Sequence, residues 1–322
     1  MRELTMMTVE VLRGTTHDGP GMRTTVFAKG CPLKCRWCQN PESINPKQEI
    51  RYEAGKCIGC LDCLEACSHN TLSADNSGIK IARDSCKACL TCARACPAKA
   101  VAPVGAQWTV DELVQEVIKD KAYYDEFGGG VTVSGGEPML YPEFLTEFFQ
   151  RLKALDVHTA LDTCGFFPIE TLTPMLAYTD AILYDIKIFD DVKHKELTGQ
   201  GNDLIFNNIK AIAAYVRKKR KQESNSTSLW IRTPLIPGET TEEDNIIRIS
   251  EFITVHLLDV LERWELCAFN PACAIKYENL QKPWLYEGVG AMKQSAVEKI
   301  RQVALSGGVP EEKLMITGMV KQ

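Results

Sequence analysis

The chain has 322 residues, of which 45% are hydrophobic, and a formal net charge of −5. A charge this small excludes a dominant basic surface for nucleic acid and a long acidic tail. The sequence shows no secretory signal and no apolar run long enough to cross a membrane, so we expect a cytoplasmic protein without membrane or nucleic-acid partners. Its 14 cysteines then favour metal binding over disulfide bonds.

The first part of the chain contains a short β unit and a cysteine-rich insert. Residues 1–30 read as a strand, the polar turn "RGTTHDGPG" and a second strand that ends at Gly30. Residues 52–102 contain eight cysteines and few long apolar runs. We therefore predict a small inserted domain that depends on bound metal for its stability. The domain that it interrupts consists of residues 1–51 and 103–322.

From residue 107 the predicted helices and strands alternate. The helices, which carry apolar residues at helical spacing, are 108–127, 141–155, 169–179, 203–222, 241–258 and 295–305. The strands are 131–136, 157–165, 181–189, 228–238 and, last, 263–271. With the strand that ends at Gly30 they make about six β/α units, which predicts a parallel sheet. A closed barrel has eight such units, so the first choice is an α/β fold of the partial (β/α)6 TIM-type barrel kind. A flat, doubly wound sheet is the alternative.

Three cysteines follow the second strand at once. Cys31, Cys35 and Cys38 have the spacing C-x3-C-x2-C, with Trp37 before the last of them. Thiolates favour a soft metal centre. A structural zinc site requires a fourth ligand, and no neighbouring His supplies one. An iron-sulfur cluster with three thiolate ligands leaves one iron open, and the spacing favours this interpretation.

The insert repeats one cysteine pattern. "CIGCLDCLEAC" and "CKACLTCARACP" both read C-x2-C-x2-C-x3-C, as in bacterial ferredoxins in which the fourth cysteine of each run binds the other cluster. A zinc ribbon is the alternative. We expect two 4Fe–4S clusters that pass electrons to the first site, or else a structural clamp or docking surface. Their ligands are Cys57, Cys60, Cys63 and Cys96 for one cluster and Cys67, Cys86, Cys89 and Cys92 for the other.

Residues 17–43, "HDGPGMRTTVFAKGCPLKCRWCQNPES", resemble the glycyl-radical-enzyme activating enzymes of the radical S-adenosylmethionine (SAM) superfamily. The resemblance implies that the open iron binds SAM and that one electron cleaves SAM to methionine and a 5′-deoxyadenosyl radical. The radical then takes hydrogen from a backbone glycine of a partner glycyl radical enzyme. It also implies a flavodoxin or ferredoxin as electron donor, and we expect a monomer. One departure is Gln39, where many relatives have His.

Four segments after the insert resemble the SAM pocket of that family: "SGGEP", "YDIK", "IRTPLIPG" and "AFNPACAIKYENL". A tight turn explains the glycine pair of the first without a ligand, and a plain ion pair explains the second. In the last, Asn270 stands where many relatives have His. The resemblance assigns catalysis to Cys31, Cys35, Cys38 and Lys187, and SAM binding to Trp37, Gly135, Gly136, Glu137, Asp185, Lys187, Arg232 and Asn270.

Other polar residues at strand ends have two interpretations each. Asp162 in "LDTCG" matches a family position that holds a monovalent cation, but it also suits a buried structural carboxylate. Cys164, Cys267 and Cys273 lack cluster spacing and are interpreted as small core residues. Two other functions remain open on the sequence. One is a radical SAM enzyme that acts directly on a small molecule, and the other is an iron-sulfur electron carrier.

Overall fold

The computed structural model describes residues 3–222 and 227–321. The strands in chain order are β1 Thr5–Thr15, β2 Arg23–Ala28, β3 Glu49–Tyr52, β4 Leu72–Asp75, β5 Gly78–Ile81, β6 Val101–Val104, β7 Ala106–Thr109, β8 Gly130–Gly135, β9 His158–Thr163, β10 Ala181–Asp185, β11 Ser228–Leu235, β12 Leu261–Ala268, β13 Met292–Lys293, β14 Leu314–Thr317 and β15 Val320–Lys321. The helices are α1 Asp62–Glu65, α2 Thr91–Ala95, α3 Val110–Val117, α4 Lys121–Phe127, α5 Pro142–Ala154, α6 Ile169–Leu172, α7 Asp191–Thr198, α8 Asp203–Gln222, α9 Glu243–His256, α10 Ala274–Asn279 and α11 Gln294–Ser306.

Within the described residues, nine strands form the main sheet in the order β14-β12-β11-β10-β9-β8-β2-β1-β7. The seven strands from β14 to β2 are parallel, while β1 pairs antiparallel with both β2 and β7. This confirms the predicted α/β class with a mostly parallel sheet. The prediction that 263–271 is the last strand is wrong, because β14 follows α11 and pairs with β12. Strand β14 has only four residues and no clear alternation of apolar and polar side chains, so no sequence pattern indicated it.

The two faces of the sheet differ because side chains alternate along a strand. Ile182 and Tyr184 of β10 lie in the large hydrophobic core. Leu183, on the opposite face, belongs to a small apolar cluster with Trp230 of β11. Asp185 continues that second face at the carboxyl end of β10 and is paired in register with Arg232 of β11. One face of the sheet therefore makes the core, and the other carries polar side chains at the carboxyl ends of the strands.

The predicted helices are present with changes in length. The segment 108–127 forms α3 and α4 with a short 3₁₀ turn between them. A capping box starts α3, since Thr109 and Glu112 bond to each other's backbone N–H groups. The segment 169–179 is helical only over α6 and one 3₁₀ turn. Besides α1 and α2 of the cysteine-rich segment, the helices α7 and α10 were not predicted, because they are short and lack a regular apolar stripe.

The cysteine-rich segment has a small hydrophobic cluster of its own. Strands β3 and β6 pair antiparallel around it, and β4 and β5 form a hairpin. The cluster contains Ile50, Tyr52, Ile79 and Ile81 together with the buried Cys63 and Cys92. Leu61 and Leu90, at matching places in the two repeats, both have a left-handed φ of 66° and 64°. The repeated sequence therefore adopts a repeated backbone. No helix in the described part of the chain has the length and apolarity to span a membrane.

Candidate active site

A cavity of about 330 Å³ lies at the carboxyl ends of the parallel strands. Residues that end or follow six of these strands line it, from β2 to β12. The predicted site residues among them are Cys31, Cys35, Trp37, Cys38, Gly135, Gly136, Asp162, Asp185, Lys187 and Arg232. Glu137 and Asn270 are not among its lining residues. The structure thus brings most of the predicted site together around one space.

The loop with the three cysteines is held against the start of the next strand-to-helix turn. Gly30 has φ +111°, and its carbonyl oxygen accepts from the N–H of Glu137 at 2.7 Å. The N–H of Gly136 donates to Ala28 O at 2.9 Å. A Cβ on Gly136 would collide with the Gly30 carbonyl oxygen, and a Cβ on Gly135 would collide with the Ala28 backbone. Close packing of two chain segments therefore requires this glycine pair, which also faces the cavity.

The cysteine thiols lie in an apolar setting. Trp37 between them is 4% exposed and packs in the main core. Burial raises the pKa of Cys35 to about 12, although Lys187 lowers it in part. Burial likewise raises the pKa of Cys38, and the neighbouring Cys35 adds to the effect. Without a metal the thiols of Cys35 and Cys38 stay protonated, and binding of a metal would release their protons.

Lys187 and Asp185 form an ion pair inside the cavity. Their side chains are 11% and 25% exposed, respectively. Burial favours the neutral amine, but the Asp185 carboxylate outweighs this and raises the pKa of Lys187. The ammonium therefore stays charged, and it lies near Cys35.

Arg232 is the second cation of the cavity and faces several carboxylates. Its guanidinium donates to Asp162 Oδ2 at 3.1 Å and lies 3.4 Å from Glu265 Oε2 and 4.0 Å from Asp18 Oδ1. Burial raises the pKa of Asp162 to about 6, although Arg232 and a 2.7 Å hydrogen bond from Ser134 Oγ oppose this. The lining of the cavity thus carries three carboxyl groups, those of Asp18, Asp162 and Asp185, and two cations, Lys187 and Arg232. Its charge balance favours a further positive group.

The "DGPG" loop closes one side of the cavity through Asp18. Arg23, which sequence reasoning did not single out as a site residue, holds this loop in place. It is fully buried, donates through Nε to Thr132 Oγ1 at 2.6 Å and donates to the carbonyl of Pro20 at 2.9 Å. Thr25 Oγ1 donates to the Asp18 carboxylate at 2.9 Å. Arg23 lies in a predicted strand that is rich in β-branched residues. A buried arginine requires hydrogen-bonding or charged partners, so its place in this strand was the available sequence signal.

Comparison with known proteins relates these motifs to a family. Residues 84–249 match the radical SAM superfamily, residues 56–100 match a 4Fe–4S dicluster domain and residues 17–73 match a 4Fe–4S single cluster domain. The isethionate sulfite-lyase activating enzyme of Nitratidesulfovibrio vulgaris is 40% identical over 77% of this chain and 80% of the relative. The (2S)-3-sulfopropanediol dehydratase activating enzyme of Klebsiella oxytoca is 36% identical over 91% of both. The chain belongs to the glycyl-radical-enzyme activating enzymes.

A solved structure shows the same fold. The radical SAM methyltransferase from Sphaerobacter thermophilus aligns with a TM-score of 0.51 at 13% identity, over 94% of this activating enzyme and 71% of that chain. This likeness concerns the fold alone. Together with the superfamily match over residues 84–249, it agrees with the mostly parallel sheet, and the family named from the cysteine and "DGPGxR" motifs is confirmed.

Glu137 of this activating enzyme lies beneath the cavity rather than in it. Its fully buried carboxylate accepts from Thr163 Oγ1 at 2.8 Å, from the N–H of Cys164 at 2.8 Å and from the N–H of Met139 at 3.0 Å. Burial raises the pKa of Glu137, although these donors oppose the rise. The side chain therefore fixes the turns after β8 and β9, which carry lining residues. Asn270 likewise caps a 3₁₀ turn by accepting from the N–H of Ala272 at 3.0 Å.

Two cysteines interpreted from the sequence as core residues also line the cavity. Cys164 is 5% exposed, and its thiol faces Cys31. This contact, followed by burial, raises the pKa of Cys164. Cys267 lies at the end of β12, where burial raises the pKa of its thiol. The only sequence signal for either residue was its place at the end of a strand.

Seven of the eight cysteines in this segment lie close to one another in two sets, and the eighth, Cys60, is exposed. Burial raises the pKa of Cys63, and the next largest cause is the thiol of Cys96, with Cys57 also contributing. Burial raises the pKa of Cys92, to which Cys67, Cys86 and Cys89 also contribute. In both groups the fourth cysteine comes from the other repeat. This is the grouping that the two-cluster pattern predicts. We call Cys57, Cys60, Cys63 and Cys96 the first group, and Cys67, Cys86, Cys89 and Cys92 the second group.

Proposed function

We propose that this activating enzyme holds one 4Fe–4S cluster at Cys31, Cys35 and Cys38, binds SAM at its open iron, and produces a glycyl radical on a separate partner enzyme. A bound cluster supplies one electron to SAM, which splits into methionine and a 5′-deoxyadenosyl radical. The radical then takes a hydrogen atom from a backbone glycine of the partner. The observation that supports this is the single cavity shared by three thiols and the charged network.

The donor set fits such a cluster. Three thiols reach one cavity of about 330 Å³, and thiolates are the usual ligands of iron-sulfur clusters. Among the described residues, no group of three His, Cys, Asp or Glu side chains surrounds a point suited to a single metal ion. A four-iron cluster is larger, and its ligands lie at separate corners. The nearby Lys187 ammonium would favour the thiolate form of Cys35, the form that binds iron.

The charge balance of the cavity fits SAM, whose sulfonium and ammonium groups are both positive. Asp18, Asp162 and Asp185 present carboxylates to the cavity. Lys187 is the proposed contact for the SAM carboxylate, because Arg232 is already surrounded by acids. Backbone groups of Gly135 and Gly136 and the ring of Trp37 complete the proposed pocket. Glu137 and Asn270 would act through the turns that they stabilise. A monovalent cation near Asp162 would offset the remaining negative charge.

The wider organisation is also a proposal. In the described residues the nine-stranded sheet ends at β14 on one side and at β7 on the other, and these two strands do not pair with each other. This supports a partial barrel, whose open side would admit a glycine loop of the partner. The match to a dicluster domain over residues 56–100 supports a ferredoxin-like insert with two 4Fe–4S clusters at its cysteine groups. These clusters would relay electrons from a reduced flavodoxin or ferredoxin. The proposed protein is a cytoplasmic monomer.

Anaerobic reconstitution tests this function. We expect about twelve iron atoms per chain if all three clusters contain four irons, together with 5′-deoxyadenosine formed from SAM under reduction. On a purified glycyl radical enzyme we expect the EPR doublet of a glycyl radical. SAM cleavage without that doublet on any partner would favour a small-molecule enzyme. Absence of SAM cleavage in the iron-loaded chain would favour an electron carrier.

The partner is the finer question. The relatives described above are named for a sulfite-lyase and a dehydratase, and another, from Clostridium scatologenes, is named for 4-hydroxyphenylacetate decarboxylase. We therefore propose a test with one partner enzyme of each of these three kinds. The yield of glycyl radical, measured at equal concentrations of SAM and reductant, would identify the partner class.

A further inference from the structure

Helix α10 contacts the loop that carries Cys31, Cys35 and Cys38, which we call the cluster loop. The hydroxyl of Tyr277 donates to the carbonyl of Cys38 at 3.0 Å. Lys276 Nζ donates to Asn40 Oδ1 at 2.7 Å and forms a 2.7 Å ion pair with Glu42. The residues just after Cys38 are therefore fixed by two consecutive side chains of one helix.

Gln281, two residues after the end of α10, contacts the cysteine-rich segment. The side-chain amide of Gln281 donates to the carbonyl of Ile79 at 2.6 Å, and its oxygen accepts from the N–H of Ile81 at 3.0 Å. Ile79 and Ile81 belong to β5, and β4 is the paired neighbour of β5 in a two-stranded sheet. One side chain thus makes the two bonds that a neighbouring strand residue would make.

The backbone of Gln281 points to a role for its side chain. Gln281 follows α10 with a left-handed φ of 52°. Its N–H donates to Glu278 O, and the N–H of Lys282 donates to Tyr277 O, which is the hydrogen-bond pattern of a Schellman cap. Glycine is favoured at this position because a Cβ is strained there. A glutamine at a glycine position indicates that its two bonds to the insert are the reason for its presence.

The segment beyond Gln281 is anchored to the main core. The ring of Trp284 stacks on Phe269 with an interplanar angle of 5° and a centroid separation of 6.1 Å. It also lies 4.7 Å from Tyr277 and 5.3 Å from Tyr286. Gln281 is therefore held between a capped helix and an aromatic cluster. Its two hydrogen bonds can then fix β5 relative to the domain that contains the main sheet.

The contacts around β3 show which cysteine group is nearer to the cluster loop. Lys29, two residues before Cys31, pairs with Glu49 at the start of β3 at 2.8 Å. Arg83, between β5 and Cys86, donates to the carbonyl of Ile50 at 3.0 Å. The segment before Cys86 therefore lies near the start of β3 and the cluster loop.

The far end of β3 adjoins the other cysteine group. Tyr52, its last residue, contacts Cys57 through its hydroxyl. Gln281 binds β5, and Cys86 follows that strand in a turn closed by its N–H to Ala82 O at 3.0 Å. The contacts of Lys29 and Arg83 place the segment before Cys86 on the side of the cluster loop, whereas the contact of Tyr52 places Cys57 at the other end of β3.

We propose that Gln281 is a positioning residue that fixes the insert against the cluster loop and places the second group between the SAM-binding cysteines and the first group. This inference rests on the proposed function for the identity of the bound groups. In this arrangement the cluster of the first group lies farthest from the SAM-binding cysteines. An electron from a reduced flavodoxin or ferredoxin would enter there.

The first experiment is amide hydrogen exchange on the iron-loaded chain with Gln281→Gly. Glycine suits the left-handed cap. If Gln281 acted only at the end of α10, this helix end would be equally stable or more stable in the variant. We expect instead about tenfold faster exchange in the peptide that contains Ile79 and Ile81, because two hydrogen bonds are lost. The matched control is Asp156→Gly, which changes an exposed residue with φ 56° in the same cap pattern after α5. Unchanged exchange in Gln281→Gly would overturn the positioning role.

The second experiment uses EPR on the reduced, iron-loaded chain. Cys60 and Cys89 are the exposed second cysteines of the two repeats, so Cys60→Ser and Cys89→Ser form a matched pair. A nearby reduced cluster speeds the spin relaxation of the SAM-binding cluster. We expect Cys89→Ser to remove most of this effect and Cys60→Ser to retain it, while Gln281→Gly weakens it at unchanged iron content.

The reverse order of the two serine variants, or no such coupling in the unaltered chain, would overturn the placement. An iron count near four in the unaltered chain would instead refute the three-cluster function. The exchange experiment on β5 would still report on Gln281 in that case, so the two failures can be told apart.

Discussion

Asp162→Asn should make the protein more stable at neutral pH, although Asp162 lies in the candidate site. Burial raises the pKa of this carboxyl group from its ordinary value of 3.8 to about 6, because the cavity disfavours the charged form more than Arg232 favours it. The side chain is 13% exposed. Asparagine keeps the shape and can still accept from Ser134, but it carries no charge.

The magnitude follows from the two pKa values. A difference of about two pKa units corresponds to about 3 kcal/mol. The folded chain binds more protons than the unfolded chain between about pH 4 and pH 6, so the free energy of unfolding falls as pH rises through this window. Relative to the wild type, the variant should be about 3 kcal/mol more stable at pH 8 and about half of that at pH 5.

Parallel urea unfolding of the two proteins at pH 8 and pH 5, under anaerobic conditions, measures this difference. Asp180→Asn is the control with the opposite sign. Burial opposes ionisation of Asp180, but the 2.7 Å bond from Lys153 and the N–H of Thr159 outweigh it and lower its pKa. That variant should be less stable at pH 8. An Asp162→Asn protein that is less stable than the wild type at pH 8, or equally shifted at both pH values, would refute the reasoning.

Three further predictions concern named contacts. Lys187→Met should lower 5′-deoxyadenosine formation about 100-fold at unchanged iron content, since it removes the cation opposite Asp185; activity within about threefold of wild type would exclude the proposed SAM contact. Glu137→Ala should cost about 1–3 kcal/mol in urea unfolding, because the buried N–H groups of Met139 and Cys164 lose their acceptor; an unchanged midpoint would contradict this. Thr109→Ala should cost about 1 kcal/mol through the lost capping box, whereas Thr173→Ala in an exposed turn should not.

Local patterns predicted the mostly parallel sheet, because the strands β8 to β12 are apolar runs bounded by turn residues. The paired repeats of the cysteine-rich segment predict which of its cysteines share a cluster. The sequence did not predict β14 or α10, because their stability comes from neighbours far along the chain. Leu314 of β14, for example, is positioned by pairing with Trp264, a contact that no local pattern encodes.

The site was predicted more fully than its supports. Residues at strand ends, such as Asp185 and Arg232, could be placed together because parallel strands end at one edge. Glu137 was expected among the SAM-binding residues. The motif "SGGEP" does not reveal that its carboxylate points away from the cavity and accepts from Thr163. Arg23 and Gln281 were not recognised as positioning residues because their partners are distant in sequence, at Thr132 and Ile79.

The alternation along the central strands separates the parts of the chain that can change length from those that cannot. Loss of one residue from β10 would turn Tyr184 toward the cavity and Asp185 into the apolar core. The segment between the cluster loop and β7 has no such alternation to keep, and the proposed cysteine-rich insert of residues 52–102 lies in it while β1, β2 and β7 keep their pairing. Variation among relatives should therefore appear as gained or lost insert segments and not as altered strand lengths.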